Sequence, residues 1–427
     1  MERSEALASL TAPGEPYELE EVELYGSPCR AFKNAPPTLC DLFESTRSDL
    51  PFILYEDERR TFEEAWQEAS ALGACLVERY AVRPGDRVAI SMRNYPEWMI
   101  AFSAVTSIGA IAVAMNALWT EEEMAYGIED SGAKILLADQ ERVERFAACA
   151  ALLPTVAVLS VRCRDRAPDG ARVTPYLEAI APYRGRPMPP VDSDPDDDAA
   201  IFYTSGSTGR PKGVVQCHRG IIQALMSWEL DDELGALIAG GPSEKPPEEP
   251  TQQYKTLLAS PLFHVAGSHA VYLSSYRAQT SVVSMYKWDP EVAAELIERE
   301  RIAWVVAPPA MSGDLVVVAE TTDRDLSSLE MLGGGGAARA PSQVEGIDRA
   351  FDRAAPNTSW GMTETNAIGT SIVGQEYLDH PESSGRCSAL LDLRVVDEDG
   401  KEMPPGQRGE LQVRGTTVVR GYWNRAD

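Results

Sequence analysis

The run Tyr203-Thr204-Ser205-Gly206-Ser207-Thr208-Gly209-Arg210-Pro211-Lys212-Gly213 gathers hydroxyls, glycines and one lysine into a short stretch. A polyphosphate needs those groups. Glycines let backbone N–H groups approach phosphate oxygens, and Ser and Thr hydroxyls donate further hydrogen bonds. Lys212 adds a mobile positive charge. The apolar residues from Ala199 to Phe202 read as a strand, and Val214 onward is expected to open a helix, giving strand, Gly-rich loop, helix. The pattern is not GxxxxGK[ST], because Pro211 precedes Lys212 and Gly213 follows it, which weighs against a P-loop phosphotransferase.

Three further stretches carry chemistry. In Trp360-Gly361-Met362-Thr363-Glu364-Thr365 the indole can stack on a nucleobase, Gly361 permits close backbone approach and Thr363 offers a hydroxyl to phosphate. Glu364 is a hard oxygen ligand suited to Mg²⁺ that is mostly held by phosphates. Taken alone, the stretch reads equally as a core Trp beside a solvated Glu. Leu332 to Ala338 ends a strand with four glycines, where residues without bulky side chains would let a flat ligand lie close. Pro261-Leu262-Phe263-His264-Val265-Ala266-Gly267 places one imidazole after another expected strand.

In this order the stretches resemble the adenylate-forming superfamily of acyl- and aryl-CoA synthetases, peptide-synthetase adenylation domains and beetle luciferases. The resemblance runs from about residue 40 to the end and implies roles for matching positions. Thr204, Ser205, Gly206, Ser207, Thr208, Gly209 and Lys212 would hold ATP phosphates. Gly335, Gly336 and Ala337 would lie against adenine and ribose, beside Trp360, Gly361, Met362 and Thr363. Position 360 is Tyr in many members, so Trp is a mild departure. Glu364 would hold Mg²⁺. Phe263, His264, Val265, Ala266, Gly267 and Pro308 would line the acyl pocket, and Lys212, His264 and Glu364 would form the catalytic set. No acidic residue interrupts Phe263 to Gly267, so an acid with an uncharged tail, fatty or otherwise hydrophobic, fits better than an amino acid. Gly385-Arg386, Gly409 to Gly415 and Gly421 to Asn424 match segments leading toward the ribose site. The family's Thr-Gly-Asp, hinge and small C-terminal domain with its catalytic Lys have no counterpart here, which predicts a truncated acyl-CoA synthetase (ATP, Mg²⁺ and coenzyme A as cofactors) with impaired turnover. An enzyme passing its adenylate to a carrier protein or another acceptor, and a non-catalytic nucleotide-binding remnant, remain the alternatives.

The elements that must position these groups are those of an α/β protein. Thr61-Phe62-Glu63-Glu64 is a capping box ahead of helically spaced Phe62, Ala65, Trp66, Ala69 and Leu72. Strands are expected at Arg87 to Met92, Lys134 to Ala138, Val156 to Val161, Ala199 to Thr204, Thr256 to Ser260, Ser281 to Met285, Ala303 to Ala307 and Leu329 to Leu332. That alternation predicts two doubly wound, mostly parallel sheets with helices on their faces. From about Ser384 the period changes to two, predicting a small antiparallel, barrel-like unit. The expected divisions are an acidic N-terminal extension at 1–40 draped on the surface, a large AMP-binding domain at 41–427 with parts at 41–190, 199–380 and 384–427, and an exposed linker from Pro187 to Asp198. Gly240 to Pro250 reads as a surface insertion. A net charge of −27 argues against nucleic acid or an anionic membrane as partner, leaving a small carboxylic acid, ATP and CoA, with a homodimer open. Seven scattered cysteines without a CxxC pair and no signal-like N-terminus predict a reduced, cytoplasmic protein. The uncharged stretch from Trp98 to Met115 is read as a buried helix ending near Gly109 and then a strand, rather than a membrane span.

Overall fold

Two large sheets face a shared core in the computed structural model, which describes residues 2–164, 172–204, 209–238 and 253–425. The first has seven strands in the order Lys212–Cys217, Asp198–Thr204, Ile111–Ala114, Arg87–Ser91, Ile135–Asp139, Ala157–Val161, Val173–Pro175. All its pairings are parallel except the first. The second has nine, in the order Arg386–Cys387, Thr370–Val373, Ala355–Trp360, Met331–Gly333, Trp304–Val306, Lys255–Leu258, Ser281–Ser284, Pro51–Tyr55, Glu58–Thr61. From Ala355–Trp360 through Pro51–Tyr55 every pairing is parallel. The expected fold class is therefore the observed one.

The helices start where the capping chemistry places them. Thr61 and Glu64 exchange hydrogen bonds at 3.0 and 2.9 Å ahead of the helix Phe62–Glu78, and Thr120 and Glu123 do the same for Glu121–Ser131. The helix Pro96–Ser107 is buried on every side, which explains its lack of charge from Trp98 onward. It packs Trp98 on Phe102 at 5.4 Å and binds the Tyr272 hydroxyl through Ser103 at 2.6 Å. Among the described residues no helix is long and apolar enough to cross a membrane. Core side chains from both sheets, such as Val88 and Phe202 with Ile53 and Val282, join one cluster around this helix.

Three expectations need correction. Val214 opens no helix: Lys212–Cys217 is a strand antiparallel to Asp198–Thr204, and the helix begins at His218. Consecutive β-branched valines sit well in a buried strand that is bordered on its other side by residues 421–423. The two sheets also do not divide at Pro187–Asp198. Asp198–Thr204 and Lys212–Cys217 complete the first sheet, while Pro51–Tyr55 and Glu58–Thr61 complete the second. The intervening stretch carries no helix or strand from 184 to 197, but Met188 and Val191 pack close to Gly73 and Gly109.

The third correction concerns the N-terminus. It holds the helix Arg3–Leu10 and a hairpin of Leu19–Leu24 with Ser27–Phe32. Phe32 is buried, and its backbone exchanges bonds with the Gln223 amide at 2.7 and 3.2 Å. Arg30 reaches Leu391 and Asp392 of a second hairpin, Leu391–Val396 with Glu410–Gly415. The extension is thus a buttress tying this hairpin to the body. The C-terminal unit forms as that two-stranded hairpin, with Arg386–Cys387 joined to the nine-stranded sheet. The expected insertion at Gly240 to Pro250 lies outside the described residues.

Candidate active site

Ligands of open parallel sheets sit beyond the carboxyl ends of the strands. Four of the chemistry-bearing stretches lie there together. Lys255–Leu258, Trp304–Val306, Met331–Gly333 and Ala355–Trp360 are adjacent parallel strands, and they lead respectively into His264, Pro308, Gly335 to Ala337, and Gly361 to Glu364. Sequence neighbours up to a hundred residues apart are thereby placed along one edge.

The turn residues are small because the backbone is crowded. A Cβ on Gly335 would stand 2.5 Å from the Ser359 carbonyl oxygen, and one on Gly361 would stand 2.3 Å from that of Ala367. Gly336 takes φ of +95°, a left-handed conformation open to glycine. These bends enclose a cavity of about 300 Å³ whose walls include Gly336, Ala337, Arg339, Trp360, Gly361 and Tyr377. Its size suits a small ligand, and the half-buried indole supplies an aromatic wall.

Lys212 approaches the same region from the first sheet. Residues 421–423 run alongside its strand, with Val215 N–H donating to Gly421 at 3.1 Å and Trp423 N–H to Gly213 at 2.7 Å. Tyr422 is thereby fixed between the two motifs. Its ring lies 5.0 Å from Lys212 Nζ, and its hydroxyl donates to Glu364 Oε1 at 2.8 Å. Burial, and after it the Glu364 carboxylate that accepts from the hydroxyl, push the Tyr422 pKa up to about 12, so the phenol stays a donor at neutral pH. A second tie joins the motifs: Gln216 Nε2 donates to the Thr363 carbonyl at 3.1 Å. Lys212 at the end of the hydroxyl-rich stretch and Glu364 at the end of the indole-to-glutamate stretch therefore meet on Tyr422.

Thr204 ends its strand half-buried, and Gly209 adopts φ of +96° at the surface. Ser205, Gly206, Ser207 and Thr208 lie outside the described residues. Thr363 and Glu364 fall in a single-turn helix, Thr363–Thr365, and Met362 is exposed. Among the described residues no group of three or more His, Cys, Asp and Glu side chains could hold a metal. A Mg²⁺ beside the single carboxylate of Glu364 would have to take its remaining ligands from phosphate oxygens or water.

The acyl-pocket stretch divides. His264 is exposed and caps the short helix Val265–Gly267, and the chain around it lowers its pKa by desolvation, an effect that the ring's access to solvent limits. Phe263 and Val265 are instead buried in the core between the sheets. Gly267 is required by crowding, since a Cβ there would lie 2.3 Å from the Pro261 carbonyl oxygen. Ala266 and Pro308 are half-buried. Just beyond, His269 is fully buried edge-on to Phe202, and desolvation lowers its pKa to about 3.

Sequence reasoning missed Tyr422, Gln216 and Arg339. Tyr422 was legible only as part of a matching segment, and Gln216 sits in an alternating strand with nothing to single it out. Their roles come from strand pairing, which spacing does not reveal.

A family model described as AMP-binding enzyme matches residues 43–423. The chain belongs to that family. Among AMP-binding relatives, a feruloyl-CoA synthase of Amycolatopsis sp is 30% identical over 348 residues, covering 81% of this chain and 63% of the relative. A 2-succinylbenzoate–CoA ligase of Bacillus velezensis is 28% identical over 376 residues, covering 88% of this chain and 68% of the relative. A solved chain described as a long-chain-fatty-acid CoA ligase of Rhodopseudomonas palustris superposes with a TM-score of 0.77 at 26% identity, covering 91% of both chains. The chain spans about 63% of the length of the feruloyl-CoA synthase it matches.

Proposed function

We propose that this AMP-binding chain serves an AMP-forming acid–thiol ligase that converts a hydrophobic carboxylic acid to its acyl adenylate and then to its CoA thioester. The observation that carries the reading is the meeting of Lys212 and Glu364 on Tyr422, with Glu364 three residues beyond Gly361 in the wall of the cavity shared by Trp360 and Gly336. A carboxylate oxygen forms a bond to the α-phosphorus of ATP as the bond to the bridging oxygen breaks, and pyrophosphate leaves. The CoA sulfur then takes the acyl carbon, and AMP departs with the C–O bonding pair.

The chain's residues have little covalent chemistry to do and act by position and charge. Lys212, with Thr204 and the Ser205–Thr208 hydroxyls, is assigned to the β- and γ-phosphates. Mg²⁺ bound with the nucleotide would neutralise phosphate charge, and Glu364 is the residue to hold it, its carboxylate already oriented by Tyr422. Trp360, Gly335, Gly336 and Ala337 are assigned to the adenosine, with Gly361, Met362 and Thr363 at its phosphate end. His264, exposed at the end of its strand, is assigned to the acyl group or to gating its entry, with Phe263, Val265, Ala266, Gly267 and Pro308 shaping that wall. The relatives named for ferulate and 2-succinylbenzoate favour aryl acids beside the fatty acids expected from the sequence. We assign the protein to the cytoplasm and the AMP-binding domain to residues 41–427, with the N-terminal extension at 1–40 packed against it as a buttress.

Acid-dependent exchange of pyrophosphate into ATP, run across fatty and aryl acids, tests the reading. Exchange with at least one acid, followed by thioester formation with CoA rather than with a holo-carrier protein, is the expected result. Nucleotide binding without exchange for any acid would overturn it.

A further inference from the structure

The loop between strands Ala355–Trp360 and Thr370–Val373 takes an unusual path. Asn366 and Ala367 adopt φ of +53° and +65°, two consecutive left-handed residues that both carry a Cβ. Asparagine tolerates that conformation better than alanine, and such a pair persists where its surroundings over-determine it. The bend folds the loop back on itself: Asn366 N–H donates to the Thr363 carbonyl at 3.2 Å and Ala367 N–H to that of Met362 at 2.9 Å. It also backs the aromatic wall of the cavity, which Trp360 and Gly361 line. The Ala367 carbonyl lies against Gly361, and a Cβ on Gly369 would stand 2.2 Å from the Trp360 carbonyl oxygen and 2.5 Å from its indole Cε3.

One buried amide secures this bend. Asn366 is 1% exposed, and its Nδ2 donates to the Thr417 carbonyl at 2.8 Å. The side chain lies beside the His269 imidazole, but neither Asn366 Oδ1 nor His269 Nε2 has a hydrogen-bond partner among the described residues. Among those residues the bond to Thr417 is therefore the one that holds the amide. The receiving segment is itself anchored: the Thr416 hydroxyl donates to the Arg30 carbonyl at 2.9 Å, and Val419 N–H donates to the Glu364 carbonyl at 3.0 Å. Asn366 thus ties the loop behind the indole to residues 416–419 and, through them, to the N-terminal buttress. Resting on the nucleotide reading above, we propose that Asn366 is a positioning residue for base binding, holding the Trp360 indole in place through the bend rather than by touching the nucleotide.

Asn366→Gly keeps the left-handed bend accessible and removes the amide. The variant should bind AMP about tenfold more weakly by calorimetric titration, with pyrophosphate binding unchanged. Its melting temperature should fall, because the buried Thr417 carbonyl loses its donor, so both titrations are run well below the transition. In a Trp360→Ala background the same change should cost AMP nothing further, a non-additivity that a general loss of structure does not produce. Gly220→Ala perturbs the amide without removing it: the added Cβ would stand 2.9 Å from Asn366 Nδ2, and AMP affinity should fall by a smaller factor with pyrophosphate again unchanged. Three results would overturn the proposal and leave the nucleotide site standing: wild-type AMP affinity in Asn366→Gly, equal loss of AMP and pyrophosphate, or a full additional loss of AMP in the Trp360→Ala background. Failure of the wild type itself to bind ATP or AMP would instead remove the nucleotide reading, and the proposal with it.

Discussion

The two walls of the cleft prepare for a ligand in opposite ways. On the first wall, where Glu364 from the second sheet meets Lys212 from the first, charge is already arranged: Glu364 accepts from Tyr422, and Lys212 rests against the same ring. On the side of the second sheet, Arg339 is buried with two donors unfilled and the bends are cleared of side chains. The first wall already holds its carboxylate in a hydrogen bond, which must exchange partners if a metal binds there. The second offers an open cavity beside the Trp360 indole.

Substitutions on the first wall should have the largest effect on binding. Lys212→Ala should weaken MgATP by about 10- to 100-fold, as expected for losing a charge-assisted contact to phosphate, and calorimetric titration reads it directly. Glu364→Gln keeps an acceptor for Tyr422 but should raise the Mg²⁺ concentration needed for ATP binding. An unchanged metal titration would remove Glu364 from the metal. Crowding on the second wall comes next: Gly361→Ala sets a Cβ against the Ala367 carbonyl and should cost about 1–3 kcal/mol of stability by denaturant unfolding. Tyr422→Phe should have a smaller effect, about 1 kcal/mol, seen as a shifted Mg²⁺ midpoint with pyrophosphate binding by Lys212 preserved.

How much was legible beforehand follows from which interactions set each feature. Capping boxes at Thr61 and Thr120 and the parallel alternation are local patterns, and the elements form where those patterns place them. The Thr204–Lys212 stretch carries a phosphate-loop pattern, whereas Val214 onward reads as a helix because valines at 214 and 215 fit either state until a pairing partner is known. The exchange of strands between sheets, with Pro51–Tyr55 beside Ser281–Ser284, depends on contacts more than two hundred residues apart. Tyr422 depends on such a contact too, with Lys212, so its role had no signature in spacing.

A pH dependence tests the ground beneath the first wall. Burial lowers the pKa of His218 to about 4 and of His269 to about 3. Their native forms stay neutral while unfolded imidazoles, near 6.5, take up protons. Both therefore contribute stability above about pH 6.5 that is lost as pH falls toward 4. Melting temperature should decline over that window, and less steeply in His218→Gln, where one proton-uptake site of the unfolded chain is gone.

The central claim is that Lys212 and Trp360 meet opposite ends of one nucleotide. Titrating ATP, AMP and pyrophosphate into wild type, Lys212→Ala and Trp360→Ala tests it most directly. The account predicts a crossed pattern: the lysine variant loses affinity for ATP and pyrophosphate but keeps AMP, while the tryptophan variant loses ATP and AMP but keeps pyrophosphate. ATP binding at wild-type strength in either variant, or its absence from the wild type at millimolar ligand, would contradict it.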